Sequence, residues 1–456
     1  MNLKHVTACR SLVLYLFIFG VVITGCADKP ARDADRQKFA EELEQSLKQD
    51  LLDKWYPLVV DTVHGGYLSG LSRDWQPVGE QNKMVVTQAR HIWSLAEASR
   101  IFPERREQYH KMAAQGVEFM KDYMWDEEHG GFYSLVNREG QPIEGDNSFT
   151  ATKHTYGNAF AVYGLAKYAE VFGKDDHNAL QWAKKTFRWM EDHSHDPEYG
   201  GYYTYLKEDG SPYRQGFMGQ TAKDQNCMIH VMEAFTELYP VWKNDTLKSR
   251  LEESLTLVRD TIRTEKNYLN LFFKKDWTPI TYQDSTDEPQ FYPTDHVSFG
   301  HDVETAYLML DAAKELGQDL EPTWTPAKKM VDHSLENGWD EEEGGLYYAG
   351  FYASFDEPLE VVQKRKTWWA QAEALNMFLM MDQRFPDSQH NYYGKARKTW
   401  AYIQNYLIDK KHGGWYRDGI DETPKGKDRP KSDIWKATYH TVRTYVNALE
   451  MLETRN

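Results

Sequence analysis

Apolar positions along the chain fall into two alternating patterns. One kind of segment is small and apolar nearly all round, as in Ala159 to Val171 and Val303 to Leu316. In the latter, Val303, Ala306, Tyr307, Leu310 and Ala313 step at helical spacing. The other kind, such as Ala179 to Asp192 and Leu247 to Arg263, keeps one charged face. A helix apolar all round must be enclosed, whereas an amphipathic one keeps a wet side. The two patterns therefore predict buried helices alternating with surface helices. Between them come acidic runs such as Trp125-Asp126-Glu127-Glu128 and Trp339-Asp340-Glu341-Glu342-Glu343, then a diglycine and a short aromatic stretch. These read as solvated turns leading into hairpins, with glycine where the backbone needs positive φ.

The diglycines Gly65-Gly66, Gly130-Gly131, Gly200-Gly201, Gly344-Gly345 and Gly413-Gly414 are spaced by 65, 70, 144 and 69 residues. The long gap holds two periods of 72, and its midpoint is Phe272, where the aromatic run survives without glycine. Six units fit, and a fixed period settles the architecture before any domain count. An open solenoid needs polar caps at both ends. This chain instead opens on a charged helix, about Asp35 to Trp55, and closes on an apolar one, about Ile434 to Leu452. The expected fold is all-α: an (α/α)6 barrel with short β-hairpins at one face, one domain over residues 35–456.

Folding the sequence onto its period brings Arg90, His230, His301, Glu373 and His440 into register, at steps of 140, 71, 72 and 67. The vacant second position falls near Phe160, just after Tyr156 and Asn158. Equivalent positions on inner helices converge on one mouth. His230-Val-Met-Glu233 and His301-Asp-Val-Glu304 repeat an i, i+3 pair on one helical face, with Asn226 one turn before His230. Glu233 and Glu304 read as holding each imidazole in one tautomer. A metal is the competing reading, since His and Glu are both ligands. Di-iron bundles, however, use Glu-x-x-His, and His-Glu-x-x-His does not occur; no metal is expected. Trp368-Trp369 and Trp435 add aromatic faces of the kind a pyranose ring stacks on.

Composition narrows the chemistry. With 54 Lys+Arg against 70 Asp+Glu the net charge is −16, which excludes a nucleic-acid binder. Neither a Walker loop nor a Gly-x-Gly-x-x-Gly fingerprint occurs, so no cofactor is expected. Neutral imidazoles can take a proton from the carbon beside an open-chain aldehyde and return one. A fixed cation such as Arg90 would stabilise the enediolate formed between those steps. Return to the opposite face inverts that carbon; return to its neighbour gives a ketose. Hydrolysis by two of the glutamates, or sugar binding without chemistry, are the other classes this residue set allows. At the N-terminus a basic start, an apolar run from Leu12 to Ile23 and Thr24-Gly25-Cys26 read as a signal peptide over residues 1–25. Lipidation of Cys26 and a tether over 26–34 would then place the protein in a bacterial cell envelope, touching membrane only through the lipid. Three cysteines, two of them in this leader, allow no disulfide framework. A monomer or weak dimer is expected.

The chain also resembles the N-acylglucosamine 2-epimerase family, most closely its cellobiose and mannobiose 2-epimerases. The resemblance is carried by Gln88-Ala89-Arg90, Lys153 to Tyr163, His230-Val-Met-Glu233, Ser298-Phe-Gly-His301-Asp-Val-Glu304, Trp368-Trp-Ala-Gln-Ala-Glu373 and Trp435-Lys-Ala-Thr-Tyr-His440. It implies cofactor-independent epimerisation at C2 of a reducing-end sugar, with a disaccharide or other reducing sugar as partner. It further implies His301 and His440 as the acid/base pair, assisted by His230. Substrate contacts carry over to Arg90, Tyr156, Asn226, Trp369, Glu373 and Trp435, with Glu233 and Glu304 grouped beside them. Met228 stands where related disaccharide epimerases often have histidine. The long polar loop from Pro279 to His296 is a second departure, and is expected to overhang the mouth as a lid or subsite wall.

Overall fold

The computed structural model describes residues 28–143, 152–216, 221–281, 295–354 and 356–453. The signal peptide, Cys26 and most of the Pro279–His296 loop lie outside the described residues. Twelve long helices occur among those described: α1 (Asp28–Ser46), α2 (Val85–Ile101), α3 (Arg106–Phe119), α4 (Thr155–Phe172), α5 (Ala179–His193), α6 (Gln225–Val241), α7 (Asp245–Leu257), α8 (Phe299–Glu315), α9 (Glu321–Gly338), α10 (Trp368–Arg384), α11 (Tyr392–Tyr402) and α12 (Tyr439–Glu453). Even-numbered helices form the inner ring and odd-numbered ones the outer. Each inner helix packs on the next, and α12 returns to α2, so the ring closes as an (α/α)6 barrel. In α2 every residue from Val85 to Ser99 is buried, as an enclosed helix must be. In α5 only one stripe, including Leu180, Ala183, Phe187 and Met190, faces inward.

Two helix boundaries differ from expectation. Helix α1 starts at Asp28, so residues 28–34 are helix rather than tether. Arg36 pins it by donating to Asp382 (2.9 Å) and to the Met451 carbonyl (3.0 Å). Those partners lie near the C-terminal ends of α10 and α12, so α1 begins at the end of the barrel away from the mouth. Helix α12 starts at Tyr439 rather than Ile434. The side chain of Asp433 accepts from the N–H groups of Trp435 (2.8 Å) and Lys436 (3.0 Å), a local turn that competes with helix.

The strands are minimal, and they join units that the hairpin expectation kept separate. Two residues before α2, β1 (Lys83–Met84), pair antiparallel with β2 (Leu135–Val136) of the next unit. In the same way β3 (Lys153–His154) pairs with β4 (Tyr205–Leu206), and β5 (Lys223–Asp224) with β6 (Phe272–Phe273). β7 (Val297–Ser298) pairs with β8 (Ala349–Phe351), which carries β9 (Glu360–Gln363) on its other edge. The diglycines form tight loops closed by single bridges such as Trp125 with Phe132. At Gly131, φ is 76°, and an added Cβ would lie 2.5 Å from the Trp189 ring, so both conformation and space demand glycine.

The acidic runs are not simply solvated. The first aspartate of each is buried and salt-bridged to a buried lysine placed just before an inner helix or, in the last unit, before the extended approach to one. Asp61–Lys83 (3.1 Å), Asp126–Lys153 (2.6 Å), Asp196–Lys223 (2.8 Å), Asp340–Lys366 (2.6 Å) and Asp409–Lys431 (2.9 Å) repeat around the ring. Thus each diglycine loop is locked to the strand entering the barrel. In the fourth unit, Thr264 and Val297 occupy the two places, and both charges are gone together. Loss of only one would leave an unpaired buried charge, which is costly.

Candidate active site

The N-terminal ends of the inner helices surround a cavity of about 430 Å³ at the strand-bearing mouth. Of the residues singled out in the sequence, Tyr156, Asn226, His301 and Trp435 line it, joined by Phe272 and Tyr348. Trp369, half-buried, contacts two imidazoles, its ring centroid 4.7 Å from that of His301 and 5.8 Å from that of His440. His230 sits against Tyr156 (5.2 Å) and Phe160 (4.9 Å). The three histidines from α6, α8 and α12 therefore converge beside the mouth, as the period required.

Arg90 is buried on α2 and donates to the Tyr156 hydroxyl (2.9 Å) and to the Trp435 carbonyl (3.0 Å). Its guanidinium also covers the rings of Phe160 (4.4 Å) and Tyr439 (4.9 Å). It thus ties two cavity-lining aromatic residues together.

Glu233, Glu304 and Glu373 lie beneath the imidazoles and, like Arg90, His230, Trp369 and His440, are not among the residues that line the cavity. One residue explains that placement. Arg443, three residues after His440 on α12 and 2% exposed, donates to all three carboxylates. Its Nη2 lies 2.6 Å from Glu304 Oε1 and 2.5 Å from Glu373 Oε1, while Nη1 bonds to Glu233 and to the Tyr439 hydroxyl. Glu304, Glu373 and His440 offer ligand atoms within 4.8 Å of one another, a spacing that would suit a divalent cation. The Arg443 guanidinium supplies positive charge at the two carboxylates of that group.

The His-x-x-Glu pattern holds on α6 and fails on α8. Glu233 Oε2 meets His230 Nδ1 at 2.7 Å, as the spacing predicts. Burial alone would raise the Glu233 carboxyl; the Arg443 guanidinium and the bond to His230 outweigh it and hold it at about 2. On α8, His301 Nδ1 is paired with the Ser298 hydroxyl (2.9 Å) instead, and Glu304 turns toward Arg443. His440 takes its carboxylate from the neighbouring helix, Glu373 Oε1 at 2.7 Å. Since that oxygen already accepts from Arg443, it faces His440 as an acceptor. Nδ1 of His440 therefore carries the hydrogen and Nε2 the lone pair. Burial pushes Glu373 up to about 7 despite Arg443. Burial, with His230 and His296 nearby, pushes His301 down to about 3, and burial takes His440 well below the usual imidazole range. Both rings are neutral at pH 7, the state a general base needs.

Arg443 was not among the candidates from sequence. A signal was present, because His440-Thr-Val-Arg443 repeats the i, i+3 step of the other two histidines with the charge reversed. Ser298 and Tyr439 carried no comparable signal.

Closed ring, aromatic mouth and neutral imidazoles over a carboxylate–guanidinium base suit proton transfer, and the chain's family and relatives make this (α/α)6 barrel an enzyme of the isomerase class. The chain belongs to the N-acylglucosamine 2-epimerase (GlcNAc 2-epimerase) family, whose model matches residues 65–444. It is 27% identical over 418 residues to a cellobiose 2-epimerase of Bacteroides fragilis, covering 90% of this chain and 98% of that one. A cellobiose 2-epimerase of Dictyoglomus turgidum is 26% identical, over 92% of this chain and all of its own length (100%). Among solved structures, the cellobiose 2-epimerase from Spirochaeta thermophila superimposes with a TM-score of 0.77 at 27% identity, covering 92% of this chain and 98% of that one.

Proposed function

We propose that this protein inverts C2 of the reducing-end sugar of a β-linked disaccharide, cellobiose or mannobiose. One imidazole of the His301/His440 pair takes the C2 hydrogen of the open-chain aldose as a proton. The C–H electron pair becomes the C1–C2 double bond of an enediolate as the carbonyl π pair moves onto the C1 oxygen. The other imidazole, having first taken up a proton from solvent, gives that proton to the opposite face of C2 and is left neutral as the carbonyl re-forms, so each turnover exchanges the proton between the two rings. His230 assists at the ring oxygen. The carrying observation is the pair of neutral imidazoles brought together against the one ring of Trp369. Phe272 and Tyr348 also line the cavity and offer aromatic surface for a second pyranose. Support for the disaccharide comes from the activity named for the cellobiose 2-epimerase relatives. An inverting hydrolase needs two carboxyls about 6.5–9.5 Å apart. Glu304 and Glu373 are closer than that, and all three glutamates are held by one guanidinium.

Incubation with cellobiose or mannobiose in D2O, followed by NMR, tests this reading. The expected product is the C2 epimer carrying deuterium at C2. A ketose product would make the protein an aldose–ketose isomerase, and two monosaccharides would make it a hydrolase.

We also propose an envelope location through lipid on Cys26. Among the described residues no helix is long and apolar enough to cross a membrane. Because α1 begins at Asp28, at the end of the barrel away from the cavity, such an anchor would turn the mouth outward from the bilayer. Expression in a Gram-negative host is expected to put the protein in the membrane fraction, and Cys26→Ser to release it. Equal partition of the two would reject the anchor.

A further inference from the structure

Three carboxylates share one guanidinium here, and two of them reach different imidazoles. Glu233 joins Arg443 to His230 Nδ1 (2.7 Å), and Glu373 joins Arg443 to His440 Nδ1 (2.7 Å). Glu304 approaches the same His440 nitrogen at 3.5 Å and bonds to the same Nη2. The path His230–Glu233–Arg443–Glu373–His440 thus crosses three inner helices through buried groups alone. With all three glutamates ionised the path carries −3 against +1 from Arg443, and Glu373, pushed up to about 7, is the carboxylate that most readily gives up part of that imbalance; an imidazolium formed at either ring lowers it further. That relief works against the burial of His440, which by itself disfavours an imidazolium. Glu304 Oε2 and Glu373 Oε2 have no hydrogen-bond partner among the described residues, so the carboxylates are incompletely satisfied. Around the path stand Tyr439 from α12, Arg90 from α2, Tyr163 from α4 and Tyr307 from α8; Asp311 of α8, pushed up to about 6 by burial, is a further acid that feels Arg443.

We propose that Arg443 is a positioning residue that ties the imidazoles of His230 and His440 into one unit. Through Glu233 and Glu373 it fixes the Nδ1–H tautomer on both rings, so that each presents Nε2 as the base and a proton gained by one is felt by the other. Arg443 itself touches no substrate; it sits under the glutamates that hold the rings. A lysine could replace its charge but not a planar fork that reaches carboxylates on three helices.

The consequence for activity rests on the epimerase reading, so the deciding measurement is made without substrate. Imidazole nitrogens of 15N-histidine-labelled protein are recorded by NMR, with His230→Asn and His440→Asn supplying assignments. The full-length protein is expected to show Nδ1–H at both rings. Arg443→Met is expected to shift both rings away from that tautomer, and Arg443→Lys to shift them part of the way. In the activity arm Arg443→Met is expected to lower kcat about 10²-fold with KM within about threefold. Should Arg443→Met fail to fold, Glu373→Gln is read instead. It is expected to alter the His230 resonances as well as those of His440, although Glu373 bonds only to the latter. Unchanged His230 resonances in Glu373→Gln, or unchanged tautomers at both rings in a folded Arg443→Met, would overturn the proposal. If the protein epimerises no sugar, the spectra still decide it.

Discussion

Replacing His440 with Asn is expected to lower kcat about 10³-fold while leaving KM within about threefold. The asparagine amide can still donate to Glu373, which otherwise would lose a partner inside the barrel. What it cannot do is accept a proton from carbon. His301→Asn is expected to behave likewise, since the asparagine amide can still reach the Ser298 hydroxyl that pairs with Nδ1. The two variants also separate the two faces of the sugar. With one base left, the substrate epimer that base faces can still exchange its C2 hydrogen with D2O, although no inverted product forms. The expected pattern is therefore reciprocal: each variant washes deuterium into one C2 epimer and not into the other. Purified variants offered each epimer in D2O, followed by NMR, read this directly. Normal epimer formation in either variant would remove that histidine from the acid/base pair.

How far the sequence foretold this site follows from which forces act at fixed spacing. The ring, its inner and outer helices and the convergence of His230, His301 and His440 were legible, because burial imposes a period and the period carries register. The destination of Glu304 was not. An i, i+3 pair places two side chains on one helical face, but Ser298 was the nearer partner for His301, and Arg443 offered Glu304 charge from across the barrel. Contacts between helices far apart in the chain leave no periodic trace. The aspartates of the acidic runs were read as wet for a related reason. Their lysines come 22 to 27 residues later, beyond any local pattern. The helix start at Tyr439 depended on one aspartate turning back on its own backbone, a local choice that apolar periodicity overlooks.

Those buried pairs carry the second large expected effect. Asp196 and Lys223 are both essentially fully buried, 2.8 Å apart, and Lys223 also donates to the Gly200 carbonyl. Asp196→Ala leaves the ammonium buried without its counter-charge and is expected to cost about 3–5 kcal/mol of stability. The fourth unit indicates the compensating change. There Thr264 replaces the aspartate and still accepts from the Tyr268 N–H (3.2 Å), while Val297 replaces the lysine with no exposed surface. The double change Asp196→Thr with Lys223→Val is therefore expected to recover more than half of the single variant's loss, although valine fills less space beside Trp277. Urea unfolding of the single and double variants measures this, and a double variant that recovers less than half of that loss would sink the idea. The pair has a pH signature as well. Burial raises the Asp196 carboxyl, but its bonds to Lys223 and to the Glu198 N–H prevail and leave it below its ordinary value. Its contribution is therefore present above the unfolded value of about 3.9 and is lost as pH falls through the folded one. The same direction holds for Asp61, Asp126, Asp340 and Asp409. Stability of the parent is expected to fall steeply below about pH 4, and less steeply in the double variant, which has one such aspartate fewer.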